Sequence, residues 1–212
     1  MPRLDHLTVI APNLEAGVSH IAECLEIEIP FGRRHPHMGT HNHLLALGNS
    51  IYLEVIAVDE AAPAPTYPRW FGLGDAAAVR QAWTDGRRLR GWVARTDRFN
   101  YHMTRHGAIY GEGCEFGSAG GSYYFAVPRD GSLPANGLAP SLIDRQGKRP
   151  SIPPEADKRC RLKLFRVLHP DPDAVAHLYR RLGVAGAPEI EHHDSFRYVA
   201  EIETPTGLKT LY

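Results

Sequence analysis

From Leu4 to Ala11 the chain is an apolar, β-prone run that stops at Pro12-Asn13, where a short amide side chain can cap a helix. Beyond it Leu14, Val18, Ile21, Ala22 and Leu25 recur at helical intervals and form one apolar stripe. Ile27, Ile29 and Phe31 then alternate with charged residues or proline over Glu26 to Phe31, the mark of a half-buried strand. Two more β-prone runs, His41 to Leu47 and Ile51 to Val58, flank Gly48-Asn49-Ser50, which suits the positive φ angles of a tight hairpin turn. Residues 1–58 therefore predict β-α-β-β-β.

The pattern returns twice. Residues 59–87 are rich in Ala and Pro and read as a connector holding a short helix from Asp75 to Trp83. Residues 88–145 give a looser, degraded second unit: a strand from Arg90 to Thr96, Asp97 as a candidate cap, a helix through Phe99 and Met103, a hairpin centred on Ser118-Ala119-Gly120-Gly121, and a run from Pro140 to Asp144. Residues 146–159 are a polar, Pro-rich second connector. Residues 160–212 make a third pass, with a strand from Arg161 to Leu168, a helix started by Pro170-Asp171-Pro172-Asp173 and closed by Gly183, and three final strands. Leu7 to Ala16 and Phe165 to Ala174 match in pattern: apolar strand, proline, capping residue, helix. Such units cannot bury their faces alone. The predicted fold is α+β, one compact domain of repeated β-α-β-β-β modules whose curved antiparallel sheets pack into a cup or barrel. The first and third units are expected to pack together.

Charge removes several functions. Lys plus Arg and Asp plus Glu each number 24, so no net field draws nucleic acid or an anionic membrane. No apolar run approaches the roughly 18 residues of a transmembrane helix, and no leader-like segment opens the chain. Three widely spaced cysteines, Cys24, Cys114 and Cys160, suggest neither a disulfide framework nor a thiolate zinc site, and fit the cytoplasm. No phosphate-binding or dinucleotide fingerprint is present, so no nucleotide cofactor is expected. The oligomeric state is left open, with a homodimer as one of its forms.

The chemistry centres on Glu54, a carboxylate inside the otherwise apolar Tyr52-Leu53-Glu54-Val55-Ile56. Buried there it needs a cation or hydrogen-bond donors, and Arg33 or Arg34 would serve as an ordinary ion-pair partner. His41 and His43 share a strand face. If Leu47 pairs with Ser50 across a two-residue turn, His43 lies opposite Glu54; if the turn is one residue longer, Leu44 takes that place. Asn42 suits either a hydrogen bond to a substrate carbonyl or an Asx turn.

A strand beginning Leu4-Asp5-His6, the capped helix, His35-Pro-x-x-Gly39-Thr40-x-Asn42 and Tyr52-Leu53-Glu54 together resemble the glyoxalase-like domain proteins of the vicinal oxygen chelate superfamily. That superfamily includes glyoxalase I, extradiol dioxygenases and bleomycin-resistance proteins, and the resemblance is densest over residues 1–58. It implies paired modules around a divalent metal (Zn, Fe, Mn or Ni) held by residues of the first and fourth strands, the positions of His6 and Glu54. Neither later unit offers a histidine where His6 stands, so His43, His41, Glu112 or Glu115 would have to complete the set. The expected metal ligands are His6, Glu54 and His43, with Glu54 catalytic and Asn42, His43 and His41 contacting substrate. The activity implied is that of a metal-dependent lyase, isomerase or dioxygenase on a small vicinal-oxygen molecule. The alternative is a metal-free protein that sequesters a small ligand.

Overall fold

The computed structural model describes residues 1–118 and 121–212. Strand β1 (Arg3–Ile10) leads to helix α1 (Leu14–Leu25), whose first turn is closed by Asn13, its Oδ1 accepting the Ala16 N–H at 2.8 Å. The helix ends where Glu26 turns left-handed at φ 55°. Its Ile21 and Leu25 are fully buried, as the apolar stripe requires. The strand expected over Glu26 to Phe31 is instead an extended link, and β2 spans Phe31–His35. Ile27 and Ile29 still pack on the core, so burial alone had produced the strand-like alternation there.

The hairpin follows as β3 (Thr40–Ala46) and β4 (Tyr52–Val58), and Gly48, Asn49 and Ser50 between them all have positive φ. The Leu47 N–H donates to the Ile51 carbonyl rather than to that of Ser50, so the turn has the longer form. Leu44 lies opposite Glu54, and His43 opposite Val55.

The middle unit is complete rather than degraded. It holds β5 (Leu89–Arg95), α3 (Phe99–Tyr110), β6 (Glu112–Ser118), β7 (Gly121–Val127) and β8 (Ser141–Asp144). Its helix cap is Arg98, not Asp97, with Thr96 Oγ1 accepting the Arg98 N–H at 3.1 Å. The turn expected at Ala119-Gly120 lies outside the described residues. In each of these two modules the last strand returns parallel to the first, and β1 and β5 then pair antiparallel. The result is one eight-stranded sheet in the order β2-β3-β4-β1-β5-β8-β7-β6, curled into a cup.

The first module thus joins the second, not the third. Residues 160–212 form β9 (Arg161–His169), α4 (Pro172–Leu182), β10 (Glu189–His192), β11 (Arg197–Thr204) and β12 (Gly207–Leu211) as a separate sheet ordered β10-β9-β11-β12. Here the strand after the helix, β10, lies directly beside β9 in parallel, so the order of elements repeats while the wiring differs. This layer covers the outer face of the large sheet, where Trp92 meets Phe165 and Tyr179 edge-on at 5.9 and 6.1 Å. The first connector contributes α2 (Ala76–Thr84) and a short turn at Trp70–Gly72 that reaches the concave side. Among the described residues no helix is long and apolar enough to cross a membrane.

Candidate functional site

The base of the cup is set by an irregularity in β1. Leu4 pairs with Ala94 and His6 with Val93, leaving Asp5 as an extra residue. Such a bulge re-aims side chains, and here the two neighbouring side chains meet: Asp5 Oδ1 lies 2.7 Å from His6 Nδ1. The His6 ring stacks on Tyr52, its register partner, with centroids 4.4 Å apart. Its Nε2 lies 3.3 Å from Glu54 Oε2. Asp5 is completely buried and is clamped by Arg145, which donates from Nε at 2.9 Å and from Nη2 at 2.7 Å. The same Nη2 donates to the Tyr52 hydroxyl at 2.9 Å. Arg145 follows β8, so the second module supplies the counter-ion for the first module's carboxylate.

Asn42 fixes the other side. Its Oδ1 accepts the Arg33 N–H at 2.8 Å, which sets the amide orientation, and its Nδ2 donates to Glu54 Oε1 at 2.5 Å. The same Nδ2 faces His35 Nε2 at 3.4 Å. His35 Nδ1 therefore carries the proton and donates to Thr40 Oγ1 at 3.0 Å, an oxygen that also receives the Trp70 indole N–H at 3.2 Å.

The charges follow from these contacts. Burial pushes Glu54 up, but the His6 hydrogen bond and charge, with the Asn42 amide, bring its carboxyl down to about 2. Burial pulls His6 down, and its hydrogen bonds to Asp5 and Glu54 outweigh that, holding the imidazole above its ordinary value. Burial also works against Asp5, yet Arg145 and His6 keep it well below the usual carboxylate range. His35 is taken down to about 4 by burial, so it stays neutral near pH 7. His6 thus sits between two carboxylates that favour its protonated form, one of them also paired with Arg145.

Above this base opens a cavity of about 710 Å³. Its far wall is apolar: Trp70, Phe71, Phe116, Phe125 and Ile143, with Trp70 and Phe125 centroids 5.1 Å apart. Tyr123 lines it too, its phenol pushed up to about 12 by burial first and then by the Glu54 charge. Arg33, Lys148 and Arg149 stand at the mouth, and the Arg33 guanidinium donates to the Ser151 carbonyl, pinning the 146–159 connector there.

Of the residues singled out from the sequence, His6, Glu54 and Asn42 meet in this cup. His41 and His43 do not. The three-residue turn puts both on the opposite face of β3, where His43 Nδ1 donates to the Ile29 carbonyl at 2.8 Å and His41 Nδ1 lies 4.0 Å from Asp59. Arg34 is spent on the same Asp59 rather than on Glu54. Glu112 faces Arg129 on the surface, and Glu115 is exposed. Asn42 serves as a clamp on Glu54, its amide fully used. The sequence reading missed Asp5, Tyr52 and Arg145, and gave His35 no part in the cup. Asp5 had the signal that exposed Glu54, a carboxylate inside an apolar strand; Arg145 stands in a polar connector and had none.

The set of donors decides how far a metal fits. His6 and Glu54 are spaced as two ligands of one cation would be, since bonds of about 2.0–2.2 Å place neighbouring donors roughly 3.0–3.4 Å apart. Among the described residues, however, no group of three His, Cys, Asp or Glu could hold an ion. The expected third ligand, His43, faces away. Two protein donors fall short of the three of an ordinary catalytic site, so the residues present do not fit a metal held by the protein alone.

Paired β-α-β-β-β modules closing a cup around residues of the first and fourth strands define the vicinal oxygen chelate class. Within it, the family model for the glyoxalase-like domain matches residues 4–183, and the chain belongs to that family. No curated protein matches the chain. Among solved structures, a hypothetical protein from Staphylococcus aureus is similar over 93% of this chain and 88% of its own, at 12% identity and a TM-score of 0.56, a likeness of fold. A methylmalonyl-CoA epimerase from Mycobacterium tuberculosis aligns over 66% of this chain and 86% of its own, at 14% identity and a TM-score of 0.41. A hypothetical protein from Bacillus halodurans C-125 aligns over 71% and 99%, at 13% identity and a TM-score of 0.44.

Proposed function

We propose that the cup binds a compact organic anion with neighbouring oxygens and moves a proton on it, an isomerase- or lyase-type reaction in which Glu54 takes the proton and His6 holds the oxygen that becomes negative. The observation that carries this reading is the 3.3 Å His6–Glu54 pair at the base of the cavity, with His6 held from behind by Asp5 and Glu54 held by the Asn42 amide. At rest Glu54 is a weak base because His6 hydrogen-bonds to it. A ligand oxygen that accepts the His6 N–H removes the strongest influence holding Glu54 down, so basicity rises only when the site is filled. The aromatic wall excludes water from the other side of the ligand, and the cations at the mouth favour an anion. The three free thiols suit a cytoplasmic setting.

The test is proton exchange. Small 2-oxo and 2-hydroxy carboxylates incubated with the protein in D₂O are expected to gain deuterium at the carbon beside the oxygens, followed by proton NMR. Glu54→Gln is expected to keep binding and lower exchange by about 10²–10⁴-fold. Binding with no exchange would leave the cup a sequestering site of the resistance-protein kind.

The ligand-like spacing of His6 and Glu54, with a carboxylate behind His6 Nδ1 as in many metal sites, favours a second reading in which a divalent cation is held with oxygens of the ligand itself. Bound there, it would polarise those oxygens as a Lewis acid. His6 must then be neutral, so protons compete with the ion. A chelator that lowers the melting temperature between about pH 6 and 8, together with stoichiometric metal in the purified protein, is the result this reading requires.

A further inference from the structure

A second irregularity lies in the same β1–β5 seam. Thr8 pairs with Gly91 and Val9 with Leu89, leaving Arg90 as the extra residue, as Asp5 is at the other end. The first bulge delivers Asp5 to the cup. The second delivers Arg90 to a cleft elsewhere, lined also by Arg87, Arg197, Phe196, Tyr198 and Tyr212, between the start of β5 and the start of β11.

Arg90 Nη1 is buried and has no hydrogen-bond partner among the described residues. A desolvated guanidinium N–H left unpaired is costly, and such a group marks a place where a partner is missing from the protein. The surroundings make the matter worse for the cation: burial, then the neighbouring Arg87, both weaken its hold on the proton. Asp75 favours the charged form from a distance, but its Oδ1 caps α2 by accepting the Ala78 N–H at 2.9 Å. Asp85 lies 3.7 Å from Arg87. Arg197 donates from Nε to Ser195 Oγ at 3.3 Å, which anchors its guanidinium beside the cleft. Arg87, Arg90 and Arg197 therefore line one cleft, and among the described residues only Arg87 of the three has a carboxylate within 4.0 Å. The cleft holds about 40 Å³, room for about three waters at roughly 10–15 Å³ each, or for one small oxyanion.

We propose that this cleft is an anion site for a phosphate group, with Arg90 as its central donor and Arg87 and Arg197 closing over it. Planar guanidinium forks match phosphate oxygens bidentately, and Phe196, Tyr198 and Tyr212 line the cleft beside them. The site shares no residue with the cup and stands independently of the function proposed there.

Titration with inorganic phosphate in phosphate- and sulfate-free buffer, followed by calorimetry and by phosphorus NMR, tests it. Saturable binding is expected, weakened at least tenfold by Arg90→Leu and partly restored by Arg90→Lys. Circular dichroism checks that Arg90→Leu folds. Arg197→Gln, at an exposed position, is expected to weaken binding threefold or more and keeps the test open if Arg90→Leu does not fold. Methyl phosphate in a parallel titration separates the sources: tighter binding than phosphate points to a phosphomonoester, and weaker binding to the free ion. Lys148→Gln, which removes a cation of the cup and touches no residue of the cleft, should leave phosphate binding unchanged. The proposal is overturned if wild type shows no saturable binding, if folded Arg90→Leu or Arg197→Gln binds as wild type does, or if Lys148→Gln abolishes the binding and so puts the anion in the cup.

Discussion

Asp5 and Glu54 hold a proton on His6 from two sides, and the stability of the protein should report it. Glu54 has a depressed folded value, so its contribution is complete above its ordinary 4.5 and is lost as pH falls toward about 2. That difference corresponds to about 3 kcal/mol, shared with His6 because the two describe one interaction. His6 has a raised folded value, so its contribution is complete below 6.5 and is lost as pH rises through the folded value. The melting temperature is therefore expected to be highest between these limits and to fall on both sides. Glu54→Gln should flatten the acid limb and bring the His6 midpoint, read by NMR titration, back toward its ordinary value. An unchanged His6 midpoint would show that the pair is not coupled. Asp5→Asn leaves the half-buried Arg145 without its carboxylate and is expected to cost about 3 kcal/mol in denaturant unfolding.

At the scale of elements, α1 lies close against the sheet because Gly17 has no side chain. A Cβ placed there would stand 2.3 Å from Val55 Cγ1 and 2.9 Å from Ala11 Cβ. Helix propensity alone would make Gly17→Ala favourable by about 1 kcal/mol. The clash reverses the sign, and a net loss of about 1–3 kcal/mol is expected by thermal or urea unfolding. Asn13→Ala, which removes the helix cap without touching the sheet, should cost about 1 kcal/mol. A Gly17→Ala protein more stable than wild type would mean that α1 sits farther from β4 than described.

Over the whole molecule, the four-stranded sheet acts as a cover. It hides Trp92, and Tyr198 ties it to the second module by donating its hydroxyl to the Gly137 and Leu138 carbonyls at 2.9 and 3.0 Å. Tyr198→Phe removes these bonds and leaves the Gly137 carbonyl short of a donor, while Tyr179 still donates its hydroxyl to the Leu138 carbonyl at 3.1 Å, at an expected cost of about 1–3 kcal/mol. A chain ending at Lys158 would uncover the outer face of the large sheet, and is expected to bind a hydrophobic dye and to aggregate. If it stayed monomeric and dye-free, the third unit would be an appended layer rather than part of the core.

The sequence by itself determined the elements that depend on near neighbours. The caps at Asn13 and Asp171, the stop at Gly183, the positive-φ turn after Leu47 and the buried carboxylate of Glu54 are written in a few consecutive residues each, because capping, turn geometry and side-chain alternation act over that range. The fold class and the meeting of His6 with Glu54 were also legible, through the repeated pattern and the family resemblance. What the chain could not state was pairing at a distance. One residue of turn length decided that Leu44, not His43, faces Glu54, since a single step reverses every side chain on a strand. The same limit hid the partnership of the first module with the second, which depends on β1 and β5 meeting across 80 residues of chain. It hid Arg145 for the same reason: a polar residue in a connector becomes the counter-ion of Asp5 only when two modules close on each other.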